Sequence, residues 1–268
     1  MSFTHKYTFC SVCNVHEDVK PLLNDVEQKK LLHNIYIGKV NKRILPIPLY
    51  LQISKELSTK LNNGYDDKEN EAVLNPFYEN IHHFSAAKTY HLISECESQR
   101  ANGSKLVSEK TFIDKVGATV TDFLDDYLFS EGEHSKQVGV MTKKWHNVVK
   151  RKTVPFLEYV TMKDGRVRPA HVLLDGIIRS ANDAFWNTFY PPNGWMCRCK
   201  TSATKEGSET DLTDFDTEDA KYNTPKEFRY NFSKEEIVFP KDHPYFTVPN
   251  ADKAFARKNF RLPIPDFK

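Results

Sequence analysis

Between residues 191 and 203 the chain reads PPNGWMCRCKTSA, and no other stretch restricts its fold as tightly. Two prolines hold φ near −65°, Asn-Gly signals a turn, and Trp195 places a large side chain directly after it. Cys197 and Cys199 follow with one residue between them. On extended backbone, residues two apart point to the same side, so both sulfurs can address one centre while Arg198 faces away. A disulfide within such a pair is strained, because Cα atoms two apart on a strand approach the upper limit of bridging geometry. Thiolates suit zinc, which takes four nitrogen or sulfur ligands near tetrahedral geometry. His171 upstream and His243 downstream are the candidate imidazole ligands, with Asp175 or Asp183 as carboxylate substitutes. The competing reading is two reduced thiols in a core with Trp186 and Trp195, with Arg198 tying down a carboxylate such as Asp175.

A second cluster, HKYTFCSVCNVH, supplies His5, Cys10, Cys13 and His16 within twelve residues. It reads as an alternative metal knuckle, as half of a crossed site with Cys197 and Cys199, or as unligated thiols near a terminus. A thioredoxin-type redox pair is disfavoured, since no strand precedes it in a βαβ context. Five cysteines, an odd number, do not form a secreted disulfide framework. In a reducing compartment such residues more often bind metal than crosslink, and a structural zinc is the expected cofactor.

The spacing of apolar residues predicts an α+β protein. A mainly helical N-terminal region (1–135) leads into a small, loop-rich α+β domain with the CxC motif (136–205), then an acidic linker and an extended Pro/aromatic-rich tail (206–268). Tyr50, Ile53, Leu57 and Leu61 recur at helical spacing, with Pro48 able to open that helix and Gly64 to close it. Phe112, Val116, Val120, Phe123 and Tyr127 form a second stripe, and Ala86, Tyr90 and Ile93 a third. FLEYVTM reads as a strand, KDG as a turn, and RVRP as a returning strand. PAHVLLDG reads as one or two helical turns stopped by Gly176. Residues 206–224 hold seven acids and one base, which predicts a mobile linker or exposed loop.

A hydrophobic content of 39% supports a true core, and a net charge of +2 names no partner by itself. Local charge says more. Residues 143–205 carry twelve Lys or Arg against four Asp or Glu. Lys143, Lys144, Lys150, Arg151 and Lys152 interleave with Trp145 and His146. They read either as a solvated helix face or as a patch for phosphate backbone, whose binding would be salt-dependent. No run approaches the ~18 apolar residues of a membrane span, and the first thirty residues lack the apolar stretch of a signal peptide.

Catalytic signatures are missing. A zinc deaminase pairs H-x-E with a downstream C-x-x-C, whereas His171 is followed by Val172 and Leu173 and the thiols are C-x-C. There is no G-x-S-x-G, P-loop or GxGxxG, so no catalytic residue is assigned.

The block RVRPAHVLLDGIIRSANDAFWNTFYPPNGWMCRC resembles the signature of the phage Mu F-like minor head proteins, the phage head morphogenesis family. The matching residues include Arg166, Arg168, Pro169, His171, Leu174, Asp175, Gly176, Phe185, Trp186, Pro191, Pro192, Gly194, Trp195, Cys197, Arg198 and Cys199. LPIPLY, NIHHFSAAKTY and FPKDHPYF resemble flanking parts of the same pattern, whereas the N-terminal CxxC lies outside it. The resemblance implies a low-copy, non-enzymatic protein of the phage head, acting in head morphogenesis at the portal vertex. Expected partners are portal protein, major capsid protein and non-specific double-stranded DNA, with no membrane. Its expected place is the virion, and the host cytoplasm during assembly. The rival from another class is a metal-dependent nuclease or toxin-like effector, which would cleave nucleic acid and lose activity in His171→Ala.

Overall fold

The computed structural model describes residues 20–204 and 209–260. Five long helices come first: α1 (Asp25–Tyr36), α2 (Ile47–Tyr65), α3 (Asn75–Ser98), α4 (Glu109–Thr121) and α5 (Tyr127–Val149). A short hairpin of β1 (Ala101–Asn102) and β2 (Lys105–Leu106) separates α3 from α4. Short elements then alternate: β3 (Phe156–Val160), α6 (Pro169–Val172), β4 (Ile178–Ser180), α7 (Phe185–Phe189) and β5 (Lys200–Thr204). The chain continues through α8 (Thr217–Asn223), α9 (Phe232–Glu235) and α10 (Lys253–Phe260). The expected α+β class, helical first and mixed later, is the class observed.

Contacts divide the described residues into two compact units. The first comprises 59–77 and 130–240 apart from 205–208, the second 20–58, 78–129 and 241–260.

In the second unit the helical stripes lie where their spacing put them. Tyr50, Ile53 and Leu57 of α2, Ala86, Tyr90 and Ile93 of α3, and Phe112, Val116 and Val120 of α4 are all buried. Helix α1 starts on a capping box, in which Asn24 accepts from the Glu27 N–H and the Glu27 carboxylate accepts from the Asn24 N–H. The α4 stripe does not continue as expected. A π-helical turn at Asp122–Asp126 inserts an extra residue, so Leu124 and Leu128 turn inward while Phe123 and Tyr127 are only half-buried. Lys88 is fully buried, its Nζ 5.4 Å from the Phe123 ring centre and 5.3 Å from that of Tyr245.

In the first unit Gly64 does not close α2, which runs one residue beyond it. The glycine serves packing instead. A Cβ on Gly64 would stand 1.9 Å from the Lys136 carbonyl oxygen, and one on Gly139 would stand 2.2 Å from that of Leu61. The end of α2 and the middle of α5 therefore touch backbone to backbone, which only glycine permits.

The sheet of this unit is antiparallel, in the order β4-β3-β5. Leu157 lies opposite Arg179 on one side and Ala203 on the other. Alternation along β3 turns Leu157 and Tyr159 into a core shared with Leu174, Ile177, Phe185, Trp186, Phe189 and Tyr190. FLEYV is a strand as expected, but RVRP is not its hairpin partner. Pro169 opens α6 instead, and Arg168 takes the position before it. The strands that pair with β3 come from farther along the chain. Gly176, at φ +83°, ends the PAHVLLD turns in the left-handed conformation expected of a stop.

Where it is described, the acidic stretch bonds to the sheet. Thr210 accepts from the Ile178 N–H through its hydroxyl, and its own N–H donates to the Ile178 carbonyl. Asp216 caps α8, and Ala220 joins the core with Leu212 and Phe215 packed against it. Leu212, Phe215 and Ala220 anchor a segment whose composition alone predicted a loop.

Candidate metal centre

The PPNG turn and the strand that follows deliver the thiols. After Gly194, Met196 takes a left-handed conformation at φ +55°, and the chain then enters β5 directly beyond Cys199. Arg168 donates to the Trp195 carbonyl and packs against Gly194, where a Cβ would meet its guanidinium at 3.2 Å. Helix α6 carries His171 to the same place. His171, Cys197 and Cys199 are 2%, 6% and 3% exposed, and their ligand atoms all lie within 4.8 Å of one another.

The imidazole orientation follows from its partners. Its Nε2 faces the Asn193 carbonyl oxygen at 3.2 Å, and a carbonyl can only accept, so Nε2 carries the proton. Nδ1 therefore presents its lone pair to Cys199 Sγ at 3.5 Å and Cys197 Sγ at 3.8 Å. Asn193 is fully buried and organises the surroundings: its side chain donates to the Thr188 and Phe228 carbonyls and accepts from the Tyr159 hydroxyl. The sequence marked Asn193 only as a turn residue. Nothing in its local pattern showed that it would hold the histidine.

A hydrogen bond from Cys199, and after it the His171 ring, holds Cys197 well below the usual thiol range. The same hydrogen bond, together with burial, pushes Cys199 up.

This donor set fits zinc. Tetrahedral coordination with Zn–S near 2.3 Å and Zn–N near 2.05 Å places sulfur and nitrogen about 3.6 Å apart. The observed 3.5 and 3.8 Å match that edge. The proton on Nε2, fixed by a backbone carbonyl, is the arrangement that aims the other ring nitrogen at a metal.

Other residues singled out in the sequence are placed as follows. His243 lies in the second unit, where its Nδ1 accepts from the Tyr245 N–H and its ring packs edge-on to Phe84 at 5.0 Å. Asp175 accepts from the Thr161 N–H and hydroxyl at 2.8 and 2.9 Å, and Asp183 from Arg179, so both carboxylates serve loops. Arg198 does not hold Asp175; it forms a two-pronged pair with Asp164 at 2.7 and 2.8 Å. His5, Cys10, Cys13 and His16 lie outside the described residues.

The basic stretch is less uniform than its sequence. Lys143 donates to the Asp66 carbonyl at 2.6 Å, Lys144 to that of Thr201 at 3.1 Å, and Lys150 to the Asn70 side chain at 3.3 Å. Arg151 and Lys152 are exposed just beyond α5.

The fold and donor set define a small α+β module closed over a buried His-Cys-Cys group. Residues 133–202, which contain all three donors, match the family model described as Phage Mu protein F like protein, so this module is a Phage Mu F-like region, as its motif implied. Over 49 residues the chain is 49% identical to "Putative capsid assembly protein F" of Escherichia phage Mu, covering 18% of this chain and 11% of that protein. Over 52 residues it is 46% identical to "Mu-like prophage FluMu F protein" of Haemophilus influenzae, covering 19% of this chain and 13% of the relative. The matched stretch is thus a small part of either relative's length. No solved structure matches. Among the described residues no helix is long and apolar enough to cross a membrane.

Proposed function

We propose that this chain is a phage head assembly protein in which a zinc-held module forms a rigid docking element. The observation that supports it is the coincidence of the matched segment with the buried donors: residues 133–202 hold the His171, Cys197 and Cys199 group and most of helix α5, whose Gln137 bonds the Cys199 carbonyl. Zinc would be held by His171 Nδ1 and the two sulfurs, and would supply crosslinking in place of a large core. The three donors are themselves buried, and both cysteines share one core with the fully buried Trp186 and Tyr190. That favours a structural role over catalysis.

In this reading the protein acts in head morphogenesis at the portal vertex, meets portal and major capsid subunits, and resides in the virion after assembly in the host cytoplasm. Arg151 and Lys152 would touch packaged double-stranded DNA without sequence preference, with Lys150 beside them. Co-expression with the portal and major capsid proteins, followed by affinity purification and mass spectrometry of purified particles, tests the assignment. Co-purification with portal protein and presence in the particle are expected. Absence from both, or metal-dependent cleavage of nucleic acid by the pure chain, would overturn it.

A further inference from the structure

The three donors leave a tetrahedral zinc one ligand short, and the helix packed over them carries a second imidazole. His134 of α5 is 2% exposed and sits in a cage of aromatic rings. The ring centres of Trp195, Phe228, Phe232 and Phe239 lie 5.5, 5.3, 5.0 and 5.7 Å from its own. Its Nε2 is 2.9 Å from the Val238 carbonyl oxygen, so that nitrogen carries the proton. Nδ1 is buried with no hydrogen-bond partner. A bare, buried acceptor lone pair of this kind normally has a partner, and its absence calls for a ligand.

His134 shares one feature with His171: a backbone carbonyl holds its Nε2–H, which leaves Nδ1 as the acceptor, here without a hydrogen-bond partner. Metal-binding histidines are oriented in this way. The helix face is also the right one. One turn on, Gln137 donates to the Cys199 carbonyl at 3.0 Å, and further along the same face Lys144 donates to the Thr201 carbonyl at 3.1 Å. Trp195, two residues before Cys197, packs edge-on against the His134 ring.

We propose that His134 is the fourth ligand, completing a two-sulfur, two-imidazole zinc site that ties α5 to the CRC segment. His134 stands outside the 4.8 Å group formed by the other three donors, and metal binding would draw its ring toward them. The proposal rests on the zinc reading of His171, Cys197 and Cys199, and goes beyond it by naming the residue that closes the site in place of His243.

X-ray absorption spectroscopy of the full chain loaded with zinc alone tests it, with His134→Ala and His243→Ala alongside. The expected wild-type zinc has two sulfurs and two imidazoles, as does His243→Ala. His134→Ala should lose one imidazole and bind zinc more weakly by more than the roughly 10–100-fold that loss of an outer hydrogen-bond partner brings. His134→Gln serves if the alanine variant does not fold. An unchanged spectrum in the His134 variants, loss of an imidazole in His243→Ala, or coordination by three or four sulfurs would overturn the proposal while leaving a metal at the site. A wild-type chain that takes up no zinc would overturn both readings.

Discussion

His171 and Asn193 are locked to each other: the ring donates from Nε2 to the Asn193 backbone carbonyl at 3.2 Å, which turns Nδ1 onto the two thiols. The asparagine is in turn held through its side chain by Tyr159 and by two carbonyls. The direction of the imidazole is therefore set by the PPNG turn, twenty-two residues away in sequence.

Removing the sulfurs should remove the metal. Cys197→Ser and Cys199→Ser are expected to purify with less than a tenth of the zinc of the parent chain, measured by elemental analysis. If free zinc is kept about a thousandfold above Kd, its release costs about 4 kcal/mol of stability. A chelator should then lower the melting temperature of the parent chain and leave either variant where it was.

The glycine contact between α2 and α5 predicts a large effect at a position remote from any chemistry. In Gly139→Ala the new methyl would lie 2.2 Å from the Leu61 carbonyl oxygen and 2.8 Å from the Tyr65 nitrogen. Neither is the far end of a flexible side chain, so the helices have to separate. A loss of at least about 1–3 kcal/mol is expected, read as a fall in the urea midpoint at constant m. Gly117→Ala, where nothing lies within 4 Å, should show no such loss.

His91 makes the second unit sensitive to mild acid. Burial pushes its imidazole down to about 4, against the opposing bond to the Tyr245 carbonyl. Unfolded, the ring binds a proton near pH 6.5, whereas folded it stays neutral until about pH 4. Stability is thus fully present above pH 6.5 and is lost as pH falls from there toward 4, by up to about 3 kcal/mol. Denaturant midpoints measured from pH 7 to 4 should fall more steeply for the parent chain than for His91→Gln.

Asp164 behaves in the opposite part of the scale. The Arg198 guanidinium holds its carboxyl down at about 2, so its contribution is present above the ordinary carboxylate range and disappears as pH falls through 2. The pair is exposed to solvent, which keeps the effect small. Asp164→Asn should retain the full zinc content. An altered metal stoichiometry would mean that the Asp164–Arg198 pair positions the thiols.

Sequence reading succeeded where the signal was local. Ile53, Leu57, Val116 and Val120 are buried because a 3.6-residue period leaves few alternatives, and the two-residue spacing of Cys197 and Cys199 put both sulfurs beside one imidazole. It failed where partners are distant. RVRP looked like a return strand, yet β3 pairs with residues 178–180 and 200–204, which no short-range pattern links to it. Ala220 reached the core from within an acidic segment, with Leu212 and Phe215 packed against the same core, because a few apolar residues and the Asp216 cap outweigh composition locally. Asn193 and His134 were overlooked for a common reason. The partners of each lie far along the chain, such as Val238, 104 positions from His134.

That separation has a consequence for synthesis. Helix α5 leaves the ribosome about a hundred residues ahead of Val238, so the cage around His134 stays incomplete until the later segment is made. A nascent chain arrested before Val238 would display that incomplete cage to chaperones and proteases, and completion of the chain is the event that closes it.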